Sequence, residues 1–296
     1  MSTPAKQHPD RPDAAGFVRA ALTAALAQAQ SHLAVLEGGG SDAETIHQLR
    51  VALRRLRTVL RECAGLAPGM RAEWDEPLAR AFAQLGTLRD AGTLADVVRP
   101  LLQDAHAPLC EWTVPAAGQA DAAAAVREPQ FLQTLAEIHA LAQAPAGKRQ
   151  PGLASLSAAG TRKYLVRRLQ RLHRQVLRDG RHFDRLPLAQ QHRVRKRLKR
   201  LRYLADFAQE FAPGMWPGKK GRRFAEALVP AQDALGLHND MAVAAAHFHA
   251  EAGTDPRAWF AAGYLQARLA TSARSSRRAL RALARVPGFW AGRHQR

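Results

Sequence analysis

Residues 46–63 read IHQLRVALRRLRTVLREC, and this stretch decides the fold class. An α-helix turns about 100° per residue, so positions three and four apart share a face. Apolar residues recur here at alternating intervals of three and four: Ile46, Leu49, Leu53, Leu56 and Leu60. The pattern predicts a long amphipathic helix whose apolar face packs against other helices.

The basic residues of the same stretch form a second stripe with the same spacing, rotated by roughly 120° from the apolar one. We call this stripe the first ladder: His47, Arg50, Arg54, Arg57 and Arg61. Arg55 lies at its edge, and no acidic residue occurs between Thr45 and Arg61. Because a solvated helix face usually mixes charges of both signs, this unneutralised stripe favours a surface that binds a polyanion.

A second stretch, HRVRKRLKRLRYLADFA at residues 192–208, repeats the pattern. We call its basic stripe the second ladder: His192, Arg195, Lys199 and Arg202. Arg200 lies at the edge, and Val194, Leu198 and Leu201 form the apolar stripe. A cation at every helical turn, about 5.4 Å apart, suits a linear anion held by charge-assisted hydrogen bonds.

The two stretches belong to an internal repeat. His47 and His192 align at the head of their ladders, which favours a binding role for both histidines over a role in the core. A further pair of blocks, LGTLRDAGTLA at 85–95 and LGLHNDMAVAA at 235–245, follows in the same order. Asp90 and Asp240 align in these blocks and could cap helices or pair with ladder arginines. The repeat predicts two similar lobes, related by a pseudo-twofold axis, with the ladders facing each other.

The predicted fold is all-α, because no run of alternating β-branched residues indicates a strand. Residues 1–14 are expected to form a flexible leader, 15–143 the first lobe, 144–152 a linker and 153–290 the second lobe. The predicted helices cover residues 15–36, 42–62, 72–87, 90–100, 128–143, 157–178, 187–211, 221–235, 239–252 and 256–285.

Composition points to a polyanionic partner. The chain has 44 lysines and arginines against 25 acidic residues, a formal net charge of +19. Its two cysteines, Cys63 and Cys110, are too few and too far apart for a disulfide framework or a zinc cluster. The N-terminus has no apolar targeting segment, and no apolar run is long enough to span a membrane. We therefore expect a cytoplasmic protein.

The blocks HQLRVALRRLRTVL and HRVRKRLKRLRYL, each followed by an LG…D block, resemble the CHAD domain, the conserved histidine α-helical domain, over about residues 15–290. The resemblance implies a duplicated helical bundle around a basic central cavity. It also implies binding of inorganic polyphosphate and association with polyphosphate granules. Both ladders, together with Arg55 and Arg200, would line the cavity. Three residues on the first helix and its counterpart are further candidate contacts: Arg19, Arg162 and Lys163.

The sequence shows no pattern that indicates catalysis. The Glu-x-Glu-x-Lys signature of enzymes fused to some relatives is missing, and GMWPGKKG lacks the final Ser or Thr of a phosphate-binding loop. His247 and His249 are two apart on a helix and therefore face different directions. We expect a non-catalytic protein with no cofactor and no metal.

The alternative partner is nucleic acid, bound without sequence specificity, because charge alone would support it equally. The two basic stretches contain a single stacking candidate, Tyr203, which argues against single-strand binding. The C-terminal segment has nine arginines from Arg257 onward and no acid after Asp255. We expect this segment to form a secondary basic surface.

Overall fold

The computed structural model describes residues 11–38, 42–93, 97–108, 118–144, 152–154 and 156–291. Within these ranges the chain forms ten α-helices and no strand, which confirms the predicted all-α class. The helices are α1 (Ala14–Glu37), α2 (Ala43–Cys63), α3 (Asp75–Thr93), α4 (Arg99–Asp104), α5 (Gly118–Arg127), α6 (Pro129–Ala142), α7 (Ala158–Gly180), α8 (Leu188–Phe211), α9 (Gly218–Glu251) and α10 (Ala258–Leu283). None of these described helices is both long and apolar enough to cross a membrane.

The helix starts follow local capping chemistry. The Asp42 carboxylate accepts a hydrogen bond from the Thr45 backbone N–H at 2.7 Å and begins α2, close to the predicted start at residue 42. Asp13 does the same for α1 through the Gly16 N–H at 2.8 Å. Helix α1 therefore begins at Ala14, one residue inside the predicted leader.

Three predicted boundaries are wrong. Helix α9 is continuous where two helices were predicted, α3 runs on to Thr93 instead of ending near Thr87, and α4 begins at Arg99 instead of near Asp90. Glycine in mid-helix costs about 1 kcal/mol relative to alanine, and packing of α3 on α2 and of α9 on α8 and α10 outweighs that cost. Helix α5 lies in a segment where no helix was predicted, and it packs on α3 and α1.

The order of packing repeats along the chain. Helix α1 packs on α2 and α2 on α3, while α7 packs on α8 and α8 on α9. The apolar stripes of α2 and α8 are buried in the core, as predicted: Leu49, Leu53 and Leu56 in α2, and Val194, Leu198 and Leu201 in α8. The pseudo-twofold axis and the lobe boundaries stay predictions, and linker residues 145–151 lie outside the described residues.

The central helices α2 and α8 pack against each other in antiparallel directions. Near the middle of α2, the Arg55 guanidinium lies 3.4 Å from the Glu210 carboxylate and 5.0 Å above the Phe207 ring. At the end of α2, Glu62 lies 3.4 Å from Arg200, ten residues earlier in α8. In the repeat alignment Arg55 corresponds to Arg200 and Glu62 to Phe207. A twofold relation would therefore exchange the Arg55–Phe207 contact with the Arg200–Glu62 contact.

Glu62 joins three helices at this crossing. Its side chain is only 3% exposed, and its carboxylate accepts hydrogen bonds from Arg168 of α7 at 2.6 and 3.1 Å. The Arg200 guanidinium of α8 approaches the other carboxylate oxygen. The Tyr164 hydroxyl donates to the Glu62 carbonyl at 3.0 Å and accepts from the Gly65 N–H at 3.2 Å. The end of α2 is therefore tied to both α7 and α8.

We predict that Glu62→Gln destabilises the protein by about 3 kcal/mol, because it leaves two guanidiniums without their shared buried carboxylate. Urea denaturation measures the loss. The matched control is Glu76→Gln, which removes an exposed i,i+4 partner of Arg80 and should cost at most about 1 kcal/mol. Equal losses in the two variants would contradict the bridging role of Glu62.

Candidate functional site

The head of the first ladder lies against α3. Arg50 is only 8% exposed, and its Nη1 donates to the Phe82 carbonyl oxygen at 2.6 Å. The guanidiniums of Arg50 and Arg54 stand 4.2 and 4.8 Å from the centre of the Phe82 ring. His47 is half-buried one turn earlier. Cation–π contacts hold both arginines over this ring, so α3 orients the ladder.

The end of the first ladder is not unneutralised, contrary to the sequence-based expectation. Asp75, the first residue of α3, accepts hydrogen bonds from Arg57 at 2.9 and 3.2 Å and from Arg61 at 3.2 and 2.5 Å. Burial would raise the pKa of the Asp75 carboxyl, but the hydrogen bonds and charges of Arg57 and Arg61 hold it below its usual value. The neutralising charge lies 14 residues after Arg61, in another helix.

The second ladder lies against α9. The His192 Nδ1 is 2.7 Å from the Asn239 Oδ1, and Arg202 donates a hydrogen bond to the Gln232 Oε1. Lys199 is half-buried between them on the same face of α8. The two ladders are thus each oriented by the helix that follows them in their repeat.

Asp240 supports the second ladder as an ion-pair partner. Its carboxylate lies 3.8 Å from the Arg195 guanidinium, and both side chains are largely buried. Of the two roles considered for Asp240, pairing with a ladder arginine is confirmed, and helix capping is excluded because Asp240 lies inside α9. The side chain of Asp90, its counterpart, lies outside the described residues.

Lys196 brings the two ladders into one electrostatic environment. Burial lowers the pKa of its ammonium group. The positive charges of three first-ladder residues lower this pKa further: Arg57, Arg61 and Arg54. Arg195 of the second ladder adds to the effect. Cations of α2 and α8 therefore lie close enough to repel one another, and Lys196 was not among the predicted site residues.

Burial also acts on the second-ladder histidine. Partial burial lowers the pKa of His192, and its hydrogen bond to Asn239 opposes the shift. Three neighbouring cations lower the pKa further: Lys196, Arg195 and Lys199. In the free protein at neutral pH, His192 is therefore neutral.

The edge residues of the two ladders form contacts between helices. Arg55 and Arg200 are engaged with Glu210 and Glu62 at the α2–α8 crossing, as described above. Arg19 donates to the Ala144 carbonyl at 3.0 Å, and Arg162 to the Met215 carbonyl at 3.3 Å. Lys163 is exposed on α7. These contacts join Arg55, Arg200, Arg19 and Arg162 to other parts of the chain, and polyphosphate binding by the five cations stays a prediction.

A cavity of ≈ 320 Å³ opens beside the second ladder between α8 and α9, and its lining is mostly apolar but includes His192 and Arg195. No group of histidine, cysteine or acidic side chains suited to a metal occurs in the described part of the chain. The central cavity stays a prediction.

Several residues that shape the site were not predicted from the sequence, among them Phe82, Asp75 and Lys196. Only Lys196 had a usable signal, because it follows His192 by four residues and so lies within about 40° of it on the helix. Phe82 and Asp75 reach the ladder through helix packing, which no spacing within α2 encodes.

The comparisons with known proteins agree with this fold. The family model described as "CHAD domain" matches residues 20–249. The crystal structure of the CHAD domain from the plant Ricinus communis is similar to this chain, with a TM-score of 0.70 and 24% sequence identity. That match covers 95% of this chain and 96% of the plant chain. No curated protein matches the chain.

The aligned glycines Gly86 and Gly236 provide a test of how Arg50 is held. A methyl group on Gly86 would lie 2.5 Å from the Arg50 Nη1, whereas one on Gly236 would contact nothing within 4 Å. We predict that Gly236→Ala stabilises the protein by up to about 1 kcal/mol through helix propensity. Gly86→Ala should destabilise it by about 1 kcal/mol or more, because Arg50 must leave the Phe82 carbonyl.

Thermal or urea denaturation of both variants measures the difference. If Gly86→Ala gained as much stability as Gly236→Ala, Arg50 would not be confined by α3 in the way described.

Proposed function

Because this chain belongs to the CHAD domain family, we propose that it binds inorganic polyphosphate along the two ladders and catalyses no reaction. Polyphosphate binding is the known role of the family. The observation that carries the proposal for this chain is the cluster of cations around Lys196, to which α2 contributes Arg54, Arg57 and Arg61. Like charges brought this close destabilise the free protein, and a bound polyanion would relieve that repulsion.

The paired arginines of the ladder keep donors for a ligand. A guanidinium has five N–H donors, and Asp75 engages two of those of Arg57. The carboxylate fixes the plane of the guanidinium, so its remaining N–H groups are oriented before a phosphate arrives. Pre-orientation lowers the entropy cost of each charge-assisted hydrogen bond.

Two features favour polyphosphate over nucleic acid. The ladders offer phosphate contacts at every turn and no arrangement for reading bases. Tyr203, the one stacking candidate in the basic stretches, is partly buried and packs against the core. A ring that packs against the core offers less of its face as a platform for an unstacked base. We further propose that polyphosphate binding places the protein on polyphosphate granules.

We predict that the triple variant Arg54→Gln, Lys196→Gln and Lys199→Gln binds long-chain polyphosphate at least about 100-fold more weakly, because each lost charged hydrogen bond costs about 1.5 kcal/mol or more. The slope of log K against log salt should fall by about 2, since three fewer phosphates release their counterions. These side chains are preferable to the buried Arg50, whose loss would disturb packing.

The matched control removes three exposed arginines of α10: Arg274, Arg278 and Arg281. It makes the same change in net charge and should weaken binding by less than about threefold.

Competition at physiological salt between long-chain polyphosphate and duplex DNA of equal charge decides between the two partners. Preferential displacement by DNA, or full binding by the folded triple variant, would refute the proposal.

We also predict that affinity for polyphosphate rises as pH falls. The pKa of His192 is lowered in the free protein, and a bound polyanion raises it by favouring the imidazolium. Binding therefore tightens as pH falls through the bound-state pKa and levels off below the free-state pKa. The gain is about tenfold for each unit that separates the two values.

Dissociation constants measured between about pH 5 and pH 8 test this dependence. His192→Gln should flatten the profile, whereas His139→Gln, an exposed histidine of α6, should leave it unchanged. A profile equally steep in wild type and His192→Gln would exclude this role of His192.

A further inference from the structure

A third group of cations lies outside both ladders, where α8 packs on α7. Its members, which we call the outer cluster, are Arg178, Arg193 and Arg197. Arg193 and Arg197 are four residues apart on the side of α8 that faces α7, and Arg178 lies in the last turn of α7. Together with Asp179, Leu186 and Gln190 they line a cavity of ≈ 290 Å³.

The outer cluster keeps a net positive charge. Asp179 is its one acidic lining residue, and it accepts hydrogen bonds from Arg178 at 2.8 Å and from Arg197. Three guanidiniums and one carboxylate therefore line this cavity. The Arg178 side chain is 71% exposed and Arg193 is exposed as well, so a ligand from solvent can reach both.

The outer cluster continues the line of the first ladder. Because α2 and α8 are antiparallel and Glu62 meets Arg200, the residues of α8 that precede Arg200 lie toward the end of α2. The last ladder cation, Arg61, is linked to α7 through its carbonyl oxygen, which accepts from the Arg168 Nη2 at 3.3 Å. From Arg200 to Arg193 the helix advances by about 10 Å.

The charges along this line are close enough to influence one another. Burial lowers the pKa of the Arg200 guanidinium, and Glu62 opposes the shift. Three neighbouring guanidiniums lower this pKa further: Arg61, Arg197 and Arg168. Cations therefore follow one another from Arg61 through Arg200 to Arg197, with Glu62 paired to Arg200 and Asp179 paired to Arg197.

We propose that a polyphosphate chain too long for the ladders continues from Arg61 along α8 and occupies the outer cluster. This inference rests on the proposed function, since it extends the same ligand beyond the ladders. The linear order of cations, one at each helical turn and leading to an open polar cavity, suits a flexible polymer of phosphoryl groups. A short chain would be satisfied by the ladders and would not reach the outer cluster.

The test compares long-chain polyphosphate with tripolyphosphate on the full-length protein. In the variant Arg178→Gln/Arg193→Gln, affinity for long chains should fall at least about tenfold through lost charged hydrogen bonds. The salt slope for long chains should fall by about 1.4, while affinity for tripolyphosphate should be unchanged. The matched control, Arg278→Gln/Arg281→Gln, makes the same charge change on the exposed face of α10.

A second variant separates binding from folding. Gln190 is exposed in the first turn of α8, where a glutamate favours the helix N-terminus. Gln190→Glu should therefore fold at least as well as wild type and still lose affinity for long chains, because it adds a negative charge to the cavity.

The results separate this inference from the proposed function. Two results would refute the proposal that the outer cluster extends the ladders. In the first, Arg178→Gln/Arg193→Gln binds long chains as tightly as the α10 control does. In the second, this variant loses the same affinity for long chains and for tripolyphosphate. Those results leave the proposed function standing if the ladder triple variant still loses binding. Retained binding by that triple variant would instead overturn the proposed function itself.

Discussion

A buried carboxylate at the crossing of α2 and α8 is the contact on which the arrangement of the site depends. Glu62 lies among two arginines from two other helices, and its own backbone carbonyl holds Tyr164 of α7. An ion pair with this little exposure is costly to leave unpaired, so the end of α2 has one favourable position relative to α7 and α8. That position sets which side of α8 meets the cations of α2.

The site combines charges that repel with partners that hold them in place. Asp75 and Asp240 each neutralise part of one ladder, and three guanidiniums lie over the Phe82 ring. Lys196 retains unfavourable neighbours on both helices. The folded protein thus tolerates a concentrated positive surface because these partners orient the guanidiniums. A bound polyanion can relieve the repulsion that remains between the cations.

Much of the fold could be predicted from periodicity alone. The apolar stripes of α2 and α8 and the all-α class follow from spacing within single helices, and the structure confirms them. The continuous α3 and α9 could not be predicted, because a mid-helix glycine such as Gly236 signals a break locally and tertiary packing overrides it. The partners of the first ladder were also inaccessible, since Asp75 and Phe82 belong to a separate helix, whereas the pairing of Asp240 with a ladder arginine was among the predicted roles.

The sequence by itself determined that two basic helices exist, which residues form each ladder and that the partner should be polyanionic. These are properties of spacing and charge along one helix, and they need no knowledge of neighbours. Only the tertiary structure decided that Arg57 and Arg61 share a carboxylate, that Arg55 and Arg200 serve the crossing, and that Lys196 joins the ladders. The reason is that side-chain partners and burial depend on how helices far apart in sequence are brought together, and pairwise electrostatics acts over those distances in space.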